Sequence, residues 1–172
     1  MKFISILTHP VLIFPILTYI YFDWESTFSF FAVLTMSFIV PFLYFLYLYK
    51  SKQISNFDIS ERKQRYKVYY ATLIGLIITG IYLNQFSTPE IFQDYLKLLL
   101  IAITLVIVNF KVKVSIHVAL ITIFCISLFQ DFNIHYAIFL LIPLVAYSRT
   151  KLKRHKLLEV VLGTIIPALF YL

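Results

Sequence analysis

The chain has 172 residues and a formal net charge of +7; 61% of its residues are hydrophobic and only 13% charged, with a mean hydropathy of +0.89. These values exclude an ordinary soluble domain and point to an integral membrane protein. A single cysteine, Cys125, excludes an internal disulfide and a thiolate metal cage; in its apolar run it reads as a small buried filler.

In chain order, charge-free or nearly charge-free stretches predict spans at roughly 3–22, 27–49, 68–86, 91–110, 114–130, 132–148 and 157–172. The first is not expected to be a cleavable signal, since it follows one lysine and carries no small-residue cleavage site. In the fourth, Asp94 and Lys97 lie near the start, where both reach the interface. The fifth and sixth are short, with only Gln130, Asp131 and their neighbours for a turn. Pro10, Pro15, Pro41, Pro143 and Pro167 fall inside spans and read as kinks. No low-complexity linker interrupts the chain, so residues 1–172 are expected to form a single membrane-embedded domain. The fold class is all-α, a polytopic bundle of six or seven transmembrane helices.

The loops alternate in charge. Lys2, the 50–67 loop, Lys111, Lys113 and the 149–156 stretch hold every basic residue except Lys97, whereas Asp23, Glu25, Glu90, Asp94 and Asp131 lie in the alternate loops. The positive-inside rule then places the N-terminus and the basic loops in the cytoplasm. Clustered lysines, including Lys50, Lys52, Lys111, Lys113, Lys151 and Lys153, read as topology determinants, and His9 and His135 as structural residues.

Three polar segments carry candidate chemistry, and even numbers of crossings between them bring all three to one membrane face. The first contains Arg62 and Arg65, the second Ser115 and His117, and the third runs from Ser148 to Glu159. In the third, Glu159 follows His155 by four residues, so on a helix its carboxylate reaches a ring nitrogen. That contact fixes the tautomer and leaves the other nitrogen a better nucleophile. The basic residues around it are expected near a helix N-terminus, where the macrodipole disfavours cations. A multivalent anion among them would relieve the crowding.

The third segment, Ser148-Arg149, then His155, then Glu159, resembles the third motif of the type 2 phosphatidic acid phosphatase superfamily. Every spacing matches, with Glu159 standing where that family has Asp. Val114-Ser115-Ile116-His117 is similar to the family's Pro-Ser-Gly-His segment, keeping the Ser and the His. In the first segment the arginines persist, while Asp58 stands at the family's lysine position. An early His9-Pro10 adds to the likeness with a compact bacterial branch.

The resemblance implies a membrane lipid phosphatase, a phosphoric ester hydrolase needing no metal or other cofactor. His155 would attack phosphorus to form a phosphohistidine, Glu159 would orient it, and His117 would protonate the leaving alkoxide. Arg149, Arg65 and Arg62 would clamp the phosphoryl oxygens, with Ser115 and Ser148 as further substrate-binding residues. The chemistry is coherent in itself, because phosphate-ester cleavage needs charge neutralisation of the transferring group and an acid for the leaving group. The expected partners are a lipid phosphate and the membrane, with no nucleic acid. The expected location is a bacterial inner membrane, the site facing the cytoplasm. Two alternatives belong to other classes: a non-catalytic lipid-binding or scaffold protein on a degenerate phosphatase fold, and a magnesium-dependent transferase. The scattered aspartates disfavour the second.

Overall fold

Proline chemistry divides the first two expected spans. Pro10 has no N–H to donate and a fixed φ, which suits the first position of a helix. The computed structural model accordingly shows two helices, α1 (Lys2–Leu7) and α2 (Pro10–Tyr21). His9 caps α2: its Nδ1 accepts from the Val11 N–H at 3.3 Å, and its carbonyl accepts from Leu12 and Ile13. The structure describes residues 2–21, 27–55, 59, 61–132 and 134–172, with only the backbone described at residues 2, 20, 21, 27–29, 62, 63 and 131.

The second expected span contains α3 (Thr27–Leu34), a π turn (Thr35–Ile39) and α4 (Val40–Lys50). Pro41 cannot donate to the preceding turn, and the wider π turn accommodates its ring while Val40 donates to the Thr35 carbonyl. α5 (Arg62–Phe86) packs on this turn through Gly75, where any added Cβ would meet the Met36 carbonyl and the Pro41 ring. α6 (Pro89–Asn109) lies beside α5, tied by a 2.6 Å hydrogen bond from the Tyr95 hydroxyl to the Leu76 carbonyl.

The remaining elements are α7 (Ile116–Phe132), a 3₁₀ turn (Tyr136–Leu140), α8 (Leu141–Lys151) and α9 (Leu157–Leu169). His135 caps the 3₁₀ turn by accepting from the Ala137 N–H. Pro143 falls in the first turn of α8, where no intrahelical donor is lost, so it starts a helix rather than kinking one. Pro15 and Pro167 do lie inside helices.

All regular elements among the described residues are helical, as the sequence predicts. Three helices, at Phe30–Lys50, Gln64–Phe86 and Pro89–Asn109, are long and apolar enough to cross a membrane. The other apolar helices, Pro10–Tyr19, Ile116–Gln130 and Leu157–Leu169, are shorter. Among the long helices, α5 presents Ile74, Ile77, Ile78 and Ile81 on its outward face, a surface suited to lipid.

The chain divides into two compact units, residues 22–103 and residues 1–21 with 104–172. In the first, Phe45 and Leu48 of α4 form a core with Ile54, in the turn after it, and Ile59. In the second, α7 is central, packing against α2, α8 and α9. Val118, Ala119, Ile121 and Cys125 are buried there, Cys125 as the expected small filler. The α7–α9 contact depends on Gly163, since a Cβ there would lie 2.8 Å from the Ser115 carbonyl and 3.2 Å from Val118 Cβ. Small residues permit such close backbone approach between membrane helices.

Gly163→Ala should therefore push α9 off α7 and cost about 1–3 kcal/mol, the usual range for overpacking. At Gly80 the nearest atoms to an added Cβ are side-chain ones, the Tyr95 ring at 3.3 Å and 3.8 Å and Leu99 at 3.9 Å. Thermal unfolding in detergent should show a clear loss for Gly163→Ala and a smaller one for Gly80→Ala; equal melting points would refute this account of the contact.

Candidate functional site

The site begins where α8 ends. Lys153 takes a left-handed conformation at φ 53, Arg154 donates to the Arg149 carbonyl at 3.1 Å, and Lys153 donates to the Thr150 carbonyl at 2.9 Å. This pair of bonds is a Schellman stop with lysine where glycine is usual. It reverses the chain within a few residues and delivers His155 to the start of α9, whose N-cap is Lys156. The expectation that the whole basic cluster lies near a helix N-terminus is corrected in part: Lys156 is the N-cap of α9, with Lys153 and Arg154 just before it. Arg149 and Lys151 occupy the last turn of α8, where the macrodipole favours cations.

Glu159 lies in the first turn of α9, a position where the macrodipole favours a carboxylate. Its Oε2 accepts from the Lys156 N–H at 3.1 Å and pairs with His155 Nδ1 at 2.9 Å. A carboxylate only accepts, so Nδ1 carries the proton and Nε2 keeps its lone pair. Both side chains are largely enclosed, 7% and 14% exposed. Burial lowers the His155 pKa from 6.5 to about 4, with the Lys113 and Arg149 charges adding to the shift and Glu159 opposing it. The ring is therefore neutral near pH 7, the state a nitrogen nucleophile requires.

The second polar segment meets the third through the backbone. The Ser115 N–H donates to the Glu159 carbonyl at 3.0 Å, joining the starts of α7 and α9. Ser115 immediately precedes α7, and its Oγ is fully enclosed with no hydrogen-bond partner among the described residues. His117, in the first turn of α7, is buried, with its ring edge-on to His9 at 5.1 Å and an interplanar angle of 89°. Arg149 is 3% exposed, and its Nη1 donates to Ser5 Oγ at 2.7 Å. Ser148 is buried beside it in α8, its carbonyl accepting from Leu152.

His155, Glu159, Ser115, His117, Ser148 and Arg149 thus belong to one compact unit. Arg65 belongs to the other, where its Nε donates to the Ile59 carbonyl at 2.8 Å. The side chain of Arg62 and all of Asp58 lie outside the described residues.

Sequence reasoning treated Lys113 as a topology charge. The structure ties its Nζ to the Arg154 carbonyl at 2.9 Å, and its charge acts on His155 more strongly than that of Arg149. Its place two residues before Ser115, inside the second segment, was the available signal. Ser5 and His9 were also missed as contacts of Arg149 and His117; no local pattern announces contacts that far apart in sequence. Among the described residues, no group of three His, Cys, Asp or Glu side chains gathers as a metal-holding set. No protein family, curated protein or solved structure matches this chain.

The electrostatics yield a measurable titration. In nitrogen-detected NMR, His155 should stay neutral below pH 6.5 and take its proton near 4. Lys113→Met should raise that value and Glu159→Gln should lower it further, each following the sign of the charge removed. The unfolded chain binds the extra proton between the two values. The stability from burying neutral His155 is thus full above 6.5 and declines as pH falls toward 4. Titration near 6.5 that ignores Lys113 would contradict the placement of that lysine.

Proposed function

We propose that this chain is a membrane lipid phosphatase that hydrolyses a lipid phosphate monoester or diphosphate through a phosphohistidine, without a metal. The observation that carries the reading is the 2.9 Å contact between His155 Nδ1 and Glu159, which leaves Nε2 its lone pair, with burial, Lys113 and Arg149 lowering the pKa of the ring. In the first step Nε2 attacks phosphorus in line, and the P–O bond to the lipid breaks as His117 gives its proton to the departing alkoxide. Water then attacks the phosphohistidine and yields its proton to His117, and phosphate leaves with both histidines restored. Arg149 and Lys113 neutralise the equatorial oxygens, and Ser115 Oγ donates a hydrogen bond from the start of α7. Phosphatidic acid, phosphatidylglycerophosphate and prenyl diphosphates are the substrate classes to test.

The same proposal includes six or seven crossings, with the broken helices α1–α2 and α3–α4 and the 3₁₀–α8 pair each counted as one. It places the basic loops and the site at the cytoplasmic face of a bacterial inner membrane. The support is the division of basic residues among alternate loops.

Phosphate release from that panel by the purified protein in detergent tests the activity. His155→Ala should abolish turnover while leaving the protein folded. His117→Ala should slow lipid substrates but spare nitrophenyl phosphate, whose leaving group needs little protonation. Vanadate should inhibit and chelators should not, and Arg149→Lys should still lose activity because it forfeits the two-pronged bond. A folded protein with no turnover on any substrate would instead favour a lipid-binding scaffold. Loss of activity in chelator would favour a magnesium-dependent transferase.

Sidedness has its own test. In a Cys125→Ser background, Gln53→Cys and Lys151→Cys should resist a membrane-impermeant thiol reagent in intact cells and react after permeabilisation. Labelling of both in intact cells would reverse the topology.

A further inference from the structure

Two contacts link the N-terminal helices to the candidate site. Ser5, in α1, accepts a 2.7 Å hydrogen bond from Arg149 Nη1, a partner 144 residues away. His9, four residues later and at the cap of α2, sets its ring edge-on to that of His117 at 5.1 Å. Helix packing agrees with both, since α1 lies on α8 and α2 on α7. We propose that Ser5 and His9 are positioning residues, Ser5 for the phosphate-binding guanidinium of Arg149 and His9 for the acid His117. The proposal rests on the phosphatase reading above and extends it to the N-terminal segment.

The physical argument is one of stiffness. A guanidinium has five donors in a rigid plane, so fixing one of them on Ser5 restricts where the others point. Arg149 leaves a helix end on a long side chain, and orienting it before substrate arrives lowers the entropy lost in binding phosphate. His9 is itself held by the backbone, because its Nδ1 accepts from the Val11 N–H at 3.3 Å. A neutral ring bonded in this way carries its proton on Nε2 and resists rotation. The edge-on contact passes that constraint to His117, whose proton must meet the leaving oxygen within hydrogen-bond reach.

His9 does two jobs, and substitution separates them. His9→Asn keeps a good helix-capping acceptor but removes the ring from His117. His9→Phe keeps an aromatic edge and loses the acceptor. If His9 positions the acid, His9→Asn should lower kcat on a lipid phosphate by about tenfold, with KM little changed and nitrophenyl phosphate largely spared. His9→Phe should retain the wild-type dependence on leaving group even where its melting temperature falls. Ser5→Ala should raise KM and weaken vanadate inhibition by about fivefold, and Ser5→Thr should restore both.

Melting curves for every variant, and His117→Ala in parallel, make the outcomes distinct. Wild-type kinetics in His9→Asn beside a leaving-group split in His117→Ala would overturn the His9 assignment alone. Equal losses on both substrates in His9→Asn, tracking its stability, would reduce His9 to a cap. Wild-type vanadate inhibition in Ser5→Ala would overturn the Ser5 assignment. If His117→Ala itself shows no dependence on leaving group, the acid assignment fails and takes the His9 proposal with it.

Discussion

Glu159 stands in the first turn of α9, and three bonds meet on it. Its Oε2 accepts from the Lys156 N–H and from His155 Nδ1, while its carbonyl accepts from the Ser115 N–H. The side chain closes the start of α9, using the reach of a glutamate back across one turn. It also sets the tautomer of the histidine just outside that helix. The carbonyl fixes the start of α7, hence the position of Ser115 and of His117 two residues further on. The glycine that admits α9 against Ser115, Gly163, lies one turn beyond Glu159 on the same helix and serves the same junction. A largely enclosed carboxylate costs free energy unless its hydrogen bonds are made, and here a helix N-terminus and a histidine supply them.

The sequence made some of this junction readable. The four-residue spacing of His155 and Glu159 follows from side-chain reach across one turn, and the observed 2.9 Å contact realises it. The meeting of the second and third segments was readable from the alternation of apolar spans. The end of α8 was not. Thr150 to Lys153 contains neither glycine nor proline, so nothing in the residue types marks a stop, and cations that favour a C-terminus were assigned to an N-terminus. The break before α2 was hidden in a similar way. Pro10 inside an apolar stretch reads as a kink, and histidine is not among the usual capping residues. The π turn at Thr35–Ile39 has Pro41 as its only local sign. The arginines of the first segment depend on tertiary placement that local patterns do not encode.

Lys153 at φ 53 has a counterpart in Lys52 at φ 59. After α4, Gln53 donates to the Leu48 carbonyl and Lys52 to the Tyr49 carbonyl, the same pair of bonds that ends α8. Two basic loops therefore begin with the same stop. A left-handed conformation costs a non-glycine residue roughly 1–2 kcal/mol, which glycine would avoid. A lysine near the last carbonyls recovers roughly 0.3–1 kcal/mol from the macrodipole. The balance at the backbone is mildly unfavourable, so these lysines are not explained by helix termination alone. In a chain with few charges, the stop position also carries a cation at the loop entrance, a placement that would bear on topology under the proposed membrane orientation.

The charges around His155 act in opposite directions, and their order matters. Burial and Lys113 outweigh Glu159, so the ring is neutral despite its carboxylate partner. Glu159 is therefore an orienting group rather than a device for charging the histidine. Lys113 and Arg149 disfavour the imidazolium by the same repulsion that would attract a phosphate oxyanion. Under the proposed phosphatase activity, one arrangement of cations would serve two needs of phosphoryl transfer: keeping the lone pair of His155 available and preparing the field for the transferring group. Removing the lysine would raise the proton affinity of the histidine and, under the proposed activity, weaken anion binding. Loss of the carboxylate would leave the ring neutral but unoriented. The two defects have different physical origins, and that difference separates the electrostatic from the geometric contribution within this site.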